Sequence, residues 1–275
     1  MYLGADSVYA ITLDRNKQRK KHIQTLSKEL DLNINIIQGI DNKDVIPLTD
    51  EFIKTNIGEW FFDPAGWYSV GIICCALSHR KAWKAFLDSG DEVGLFLEDD
   101  AMPTFDIHLY DFNAVRHELN TLDWGVCWYG KWQPDIKIIG PQLTDNIYQG
   151  IENDRFNYAA HSYLLNKKSA QWFYNNSLPI NYAADIRLEV SPFKQVTLNK
   201  SVFLQKRQER AIIKKPIDKE WYNGTMEDLG DVFTMHEGVR VYALDSVSKH
   251  LPIKKSYRKN KIIKGVEVMG IQFEK

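Results

Sequence analysis

The sequence predicts an α/β fold built on an open, mostly parallel sheet, and three observations carry that prediction. Strand and helix patterns alternate from the N-terminus. A helix-period segment from Gly71 to Gly90 leads directly into the apolar run Val93-Gly94-Leu95-Phe96-Leu97, and that run ends in three carboxylates, Glu98, Asp99 and Asp100. An unbroken apolar run of this length reads as a strand buried on both faces, as in sheets covered by helices. Its acidic end then falls on the C-terminal edge of the sheet, where open α/β sheets bind ligands.

The elements follow in order. Ser7 to Leu13 reads as the first strand, and Asn16 to Leu30 as an amphipathic helix with His22, Ile23, Leu26 and Leu30 along one stripe. Ile34 to Ile37 is a second strand, which completes a βαβ start. Asp41-Asn42 forms a turn after it, and Asp50 caps a short helix at Glu51 to Thr55. Residues 57 to 70 are rich in Gly, Pro and aromatics, among them Trp60, Phe61, Phe62, Trp67 and Tyr68. Such a cluster either packs internally or offers rings to a sugar. In the next helix, apolar residues at 72, 73, 76, 77, 83, 86 and 87 keep helical spacing, Lys81, Lys84 and Asp88 take the other face, and Gly90 ends it. Further on, Tyr163 to Asn166 reads as a strand and Lys167 to Asn176 as a helix; Asp185 and Glu189 then share a helical face at i,i+4 spacing.

After Gln205 the chain becomes charged, with Lys206, Arg207, Glu209, Arg210, Lys214 and Lys215, and a basic run extends from Lys254 to Lys261. The organisation predicted is a main domain over 1–205 and a C-terminal extension over 206–275 packed on or flanking it. The basic run is either a solvated face or a contact for anionic lipid.

Composition narrows the functions available. At 275 residues with 44% hydrophobic residues the chain can bury a sizeable core, and a formal charge of -1 gives no overall field to attract nucleic acid. Cys74, Cys75 and Cys127 are odd in number and lack metal-ligand spacing, so they read as reduced core thiols. Met1 to Ser7 has no basic segment followed by an apolar one, and no run reaches the ~18 residues of a membrane span, so a cytoplasmic protein is expected, with membrane association through the basic run alone. Three adjacent carboxylates repel one another, and a divalent cation held by oxygen ligands is their natural partner. The bland reading is a solvated acidic turn. Carboxylates holding such a cation beside a diphosphate suggest a nucleotide-sugar enzyme. A metal-dependent nucleotidyltransferase would use the same edge, but Thr12 to Arg19 contains no glycine for a phosphate loop.

The order Gly71, Cys75-Ala76-Leu77-Ser78-His79, Trp83, then a strand ending in Glu98-Asp99-Asp100 resembles glycosyltransferase family 25. Val8-Tyr9-Ala10-Ile11-Thr12-Leu13-Asp14-Arg15, with Arg19, is similar to that family's opening strand and paired arginines. Leu122 to Gly130 and His161 to Ala170 resemble two later segments, so that the resemblance covers about residues 7 to 205. The sequence departs from the pattern at Thr12, where Asn is usual, at Cys74 in place of a second Gly, and at Gly125 in place of Asp. The late Pro-apolar-Asp motif is also altered, because Pro179-Ile180 is followed by Asn181 and the next acid is Asp185.

The resemblance implies a GT-A type nucleotide-binding sandwich and an inverting hexosyl transfer from UDP-galactose or UDP-glucose to a hydroxyl. The acceptor would be a glycan, as in lipopolysaccharide biosynthesis, or a hydroxylysine-bearing protein. Mn2+ or Mg2+ would be held by Asp100 with Glu98 or Asp99 assisting and His236 as a third ligand. Arg15 and Arg19, one turn apart near a helix N-terminus, would meet phosphate. Thr12, Leu13, Asp14 and Asp41, at the ends of the first two strands, would border the nucleotide, with Ser78 and His79 beside them. Asp185 is the expected base, with Glu189 in reserve. A histidine on a buried helix face is ordinarily a satisfied core residue, and His79 and His161 also admit that reading. A catalytically degenerate sugar-binding relative is the competing class, although the acidic cluster is intact.

Overall fold

The computed structural model describes residues 3–45, 55–62, 70–131, 140–150 and 159–205, and the backbone of six short strands between 233 and 274. The chain begins with strand β1 (Ser7–Thr12), helix α1 (Lys17–Glu29), β2 (Ile34–Gln38) and the short α2 (Asn42–Val45). Next come β3 (Ile57–Phe62), the long α3 (Val70–Ser89), β4 (Val93–Glu98) and β5 (Ala101–Pro103). A 3-10 turn (Phe105–Leu109) and α4 (Phe112–Asn120) lead to β6 (Val126–Trp128), β7 (Ile147–Gln149), β8 (Ser162–Asn166) and α5 (Lys167–Asn176). β9 (Ile180–Tyr182), α6 (Ala184–Glu189), β10 (Gln195–Leu198) and β11 (Phe203–Gln205) follow.

Seven strands form the central sheet in the order β2-β1-β4-β8-β6-β10-β7. β1 runs parallel to β2 and β4, and β10 parallel to β6, while β8 is antiparallel to both its neighbours and β7 to β10. Five strands therefore share one direction, which gives the mostly parallel α/β architecture expected from the sequence and consistent with a GT-A-like sandwich. The registers Thr12 with Gln38 and Ile11 with Glu98 bring the ends of β1, β2 and β4 to one edge.

Local sequence explains the helices that flank this edge. The Asn16 side chain accepts from the Arg19 backbone N–H at 3.3 Å and so caps α1. Ile23 and Leu26 point into the sheet, whereas His22 keeps only partial burial and sets its Nε2 at 2.8 Å from the Ala101 carbonyl oxygen. α3 ends where Gly90 adopts φ +82, a backbone conformation that glycine enters without a Cβ penalty.

Period-2 alternation sorts β1 and β4 between two cores. Val8, Ala10, Leu95 and Leu97 meet α1 on one face; Tyr9 and Phe96 meet α3 and α5 on the other. On that second face, cross-strand neighbours build an aromatic ladder. Tyr9 stacks on Phe96 at 5.5 Å between centroids, Phe96 stacks on Tyr163 at 5.3 Å, and Trp128 tilts against Tyr163 at 6.0 Å. Phe86 from α3 meets Phe96 edge-on at 89°.

A small antiparallel pair, β5 with β11, lies just past the acidic segment and returns Gln205 to its side. Asp50, most of Glu51 to Thr55, Trp67, Tyr68 and Lys206 to Lys215 fall outside the described residues. Trp60, Phe61 and Phe62 lie in β3, of which the backbone alone is described, and β3 pairs in parallel with β9. In the C-terminal part, 254–257 pairs with 271–274 and 261–263 with 266–268, so most of the basic run has strand backbone. Among the described residues, no helix is long and apolar enough to cross a membrane.

Phe96 is fully buried between two stacked rings, so Phe96→Ala removes contacts from three elements at once. The expected loss is about 3–5 kcal/mol of folding stability, measured as a lower urea midpoint with unchanged slope. A loss below about 1 kcal/mol would mean that the ladder relaxes to fill the space.

Candidate active site at the acidic sheet edge

The end of β4 divides its charges between two surroundings. Glu98 turns toward α3, where His79 Nε2 lies 3.2 Å and Cys75 Sγ 3.7 Å from the same oxygen, Oε1. The other nitrogen of His79, Nδ1, is 2.7 Å from the Tyr163 hydroxyl, which also accepts from Trp83 Nε1–H at 2.9 Å. An indole N–H can only donate, so the assignment that satisfies every group runs in one direction. Trp83 donates to Tyr163, Tyr163 donates to His79 Nδ1, and His79 donates from Nε2 to Glu98.

Burial alone would push the Glu98 carboxyl up. The hydrogen bond from His79, with the charge of Arg19, outweighs that and holds it below its ordinary value. Burial instead pushes the Cys75 thiol well up, helped by the charges of Glu98 and Asp185, so Cys75 is a protonated donor to Glu98. Cys74 is pushed up to about 12 by burial and by Asp41 and Asp44. The three cysteines are reduced, as composition implied.

Asp99 and Asp100 turn toward β1 and α1. The Thr12 hydroxyl donates to Asp99 Oδ2 at 2.9 Å and Arg19 NH1 donates to Asp99 Oδ1 at 2.7 Å. The same NH1 lies 3.6 Å from Asp100 Oδ2, and Gln205 Nε2 reaches that oxygen at 3.4 Å. Burial works against the Arg19 charge, but Asp100 and Asp99 together raise its pKa above the ordinary value. Three carboxylates against one arginine leave a local excess of two negative charges, all on oxygen donors. That set suits a divalent cation of the Mg2+ or Mn2+ kind.

The remaining predicted residues occupy different positions along this edge. Asn16 is the cap of α1, so Arg15 precedes the helix and pairs with Asp41 at the end of β2, whereas Arg19 lies in the first turn and pairs with the end of β4. The two arginines therefore pair with carboxylates at the ends of different strands. Ser78 is buried, donates to the Cys74 carbonyl at 2.6 Å and accepts from the Ile40 N–H at 2.8 Å, which fixes the loop leading to Asp41. Leu13 is half-buried against that loop at Gly39, and Asp14 is exposed in an ion pair with Lys20 at 2.8 Å.

Asp185 is half-buried in the first turn of α6, which packs against α3, and its Oδ1 accepts from the Ile186 N–H at 2.9 Å. Glu189 ends the same helix, where its carbonyl is bound by Gln195. His161 is a core residue with Nε2 at 3.2 Å from the Phe203 carbonyl oxygen, and a Cβ at Gly130 would come within 2.1 Å of its ring. His236 ends strand 233–236, and its side chain lies outside the described residues. Cys75, Trp83, Tyr163 and Gln205 complete the edge although the sequence alone did not single them out for it. The signals available were the Cys75 and His79 spacing of one helical turn and the place of Trp83 and Tyr163 in the matched segments.

Comparison with known proteins adds an independent line. The model of glycosyltransferase family 25, described as lipopolysaccharide biosynthesis proteins, matches residues 5–188. Procollagen galactosyltransferase 2 of Homo sapiens is 24% identical over 175 residues, covering 62% of this chain and 27% of that protein. Its Mus musculus counterpart is 23% identical over 172 residues with the same coverage, so the chain spans about a quarter of the length of these relatives. A solved structure of a protein from STIV is similar at 12% identity and TM-score 0.40, covering 72% of this chain and 82% of that one.

The depressed Glu98 acidity has a defined sign. The ionised carboxylate is favoured by folding, so its contribution is fully present above the ordinary value of 4.5 and disappears as pH falls through the lower folded value. Glu98→Gln is expected to flatten the acid limb of stability: its urea midpoint should fall less than that of the wild type on acidification below 4.5. Parallel limbs for the two proteins would exclude this coupling.

Proposed function

Because the chain belongs to glycosyltransferase family 25, we propose that it is a metal-dependent, inverting hexosyltransferase that moves galactose or glucose from a UDP-sugar to a hydroxyl acceptor. The observation that carries the reading is the meeting of Thr12, Arg19, Asp99 and Asp100 at the C-terminal sheet edge, with negative charge in excess. Bound through Asp100, with Asp99 or Glu98 and His236 assisting, Mn2+ or Mg2+ would supply Lewis-acid stabilisation of the departing UDP.

The chain's own residues do the rest. Arg19 sits where a second cation would relieve it of the carboxylates, which leaves its guanidinium available to the donor's phosphates. Thr12 holds Asp99 in place, and Arg15 with Asp41 borders the nucleoside end, where Leu13 and Asp14 complete the rim. Trp83, Tyr163 and His79 keep Glu98 ionised and oriented; Ser78 fixes the adjoining loop. Asp185 takes the proton of the acceptor hydroxyl as that oxygen attacks the anomeric carbon, and Glu189 is the alternative base. The acceptor class is a glycan, in keeping with the family's lipopolysaccharide role, or a protein hydroxyl, as the names of the matched galactosyltransferases suggest. Residues 1–205 form the catalytic domain in this reading. The basic run of the 206–275 extension holds a cytoplasmic enzyme near an anionic membrane.

UDP release from UDP-galactose and UDP-glucose, with and without Mn2+, tests the site. Release is expected to require the metal and to drop at least about a hundredfold in Asp100→Ala. Absence of release, together with no calorimetric signal for UDP and Mn2+ combined, would instead identify a family scaffold without transferase chemistry. Asp185→Asn separates base from donor site: acceptor transfer should fall by about 10²–10⁴-fold while UDP affinity is retained. Unchanged transfer would remove Asp185 from the mechanism and direct the same test to Glu189.

A further inference from the structure

We propose that Cys75, His79 and Glu98 form a second metal site, of mixed sulfur, nitrogen and oxygen donors, that takes Zn2+ in preference to the harder cations suited to Asp100. Cys75 and His79 stand one turn apart on α3 and both face the end of β4; their donor atoms and a Glu98 oxygen all lie within 4.8 Å of one another. Glu98 Oε1 is 3.7 Å from Cys75 Sγ and 3.2 Å from His79 Nε2. A tetrahedral zinc ion with bonds of about 2.0 to 2.3 Å sets its ligand atoms roughly 3.3–3.6 Å apart, so two edges of the triangle are already close to that length. The hydrogen-bonded cluster is a preformed ligand set in which two protons occupy the place of the ion.

The surroundings match those of a zinc ligand. His79 is fully buried and fixed from behind by the Tyr163 hydroxyl, the outer contact that ordinarily orients a ligating imidazole. The Glu98 side chain keeps 22% exposure, which leaves the site open to ions from solvent. On binding, the Cys75 thiol releases its proton to solvent and the thiolate joins the metal. The imidazole stays neutral by exchanging its Nε2 proton for one on Nδ1, and the Tyr163 hydroxyl, keeping its own proton, turns to accept a hydrogen bond from Nδ1–H. A thiolate and an imidazole favour Zn2+ over Mg2+ and Mn2+. Metal capture does not depend on the transferase reading. If that reading holds, occupation also withdraws Glu98 from the acidic edge and inhibits transfer.

The test uses the reduced full chain titrated with Co2+ as a spectroscopic stand-in. One equivalent should produce a thiolate-to-metal charge-transfer band in the near ultraviolet with visible bands typical of tetrahedral Co2+, and Zn2+ should abolish both. Cys75→Ser should weaken binding at least about tenfold and remove the charge-transfer band, whereas Cys74→Ser and Asp100→Ala should retain it. Absence of a band in the wild type, its survival in Cys75→Ser, or its loss in Asp100→Ala would overturn the assignment. A circular dichroism melt of each variant establishes that lost binding is not lost folding. These optical signals are independent of UDP release, so the site and the transferase function can fail separately.

Discussion

Three consecutive carboxylates at the end of a buried strand are the constraint to which the rest of this edge responds. Glu98, Asp99 and Asp100 cannot share one environment without strong mutual repulsion, and Asp99 and Asp100 are 7% and 8% exposed. The fold separates them. Glu98 turns to the α3 side and is held by His79 and Cys75, while Asp99 and Asp100 turn to the α1 side and share Arg19. Each half has its own supporting layer: Trp83 and Tyr163 behind His79, Thr12 and Gln205 beside the aspartates.

Packing and polar chemistry meet at Tyr163. Its ring is one rung of the ladder that joins β1, β4, β8 and β6, and its hydroxyl receives Trp83 and fixes His79. A buried hydroxyl in that position needs partners, and the two it has come from the helix that covers the ladder. The same ring that stabilises the sheet thus sets the protonation and direction of the imidazole facing Glu98. Changes in the aromatic core should consequently reach the acidic edge without any residue of that edge being altered.

Much of this was legible in the sequence, and the illegible parts have physical reasons. The run 93–97 and the acids after it located β4 and the acidic end of the sheet, Asn16 and Gly90 marked helix ends, and periodicity placed α1, α3, β8 and α5 within a residue or so. Those signals are local. What could not be read depends on long-range pairing. β8 inserts antiparallel between β4 and β6, which alone carries Tyr163 over to His79. β11 returns to pair with β5, which alone carries Gln205 to Asp100. The arginines separated because a cap at Asn16 sets Arg15 outside the helix, a distinction of one residue that apolar periodicity does not encode.

Arg19 has a further significance for how ligands would assemble here. One guanidinium against three carboxylates leaves the edge with an excess of two negative charges, and a nucleoside diphosphate would add more. Donor binding without a cation would therefore meet repulsion in a site where burial limits screening by water. A divalent ion removes that repulsion, and by linkage the donor must strengthen the ion's binding by the same factor. The guanidinium also provides a counter-charge to Asp99 and Asp100 before either ligand arrives. On this argument the arginine is a placeholder built into the first turn of α1, and its capping residue, Asn16, is what sets it within reach of the aspartates.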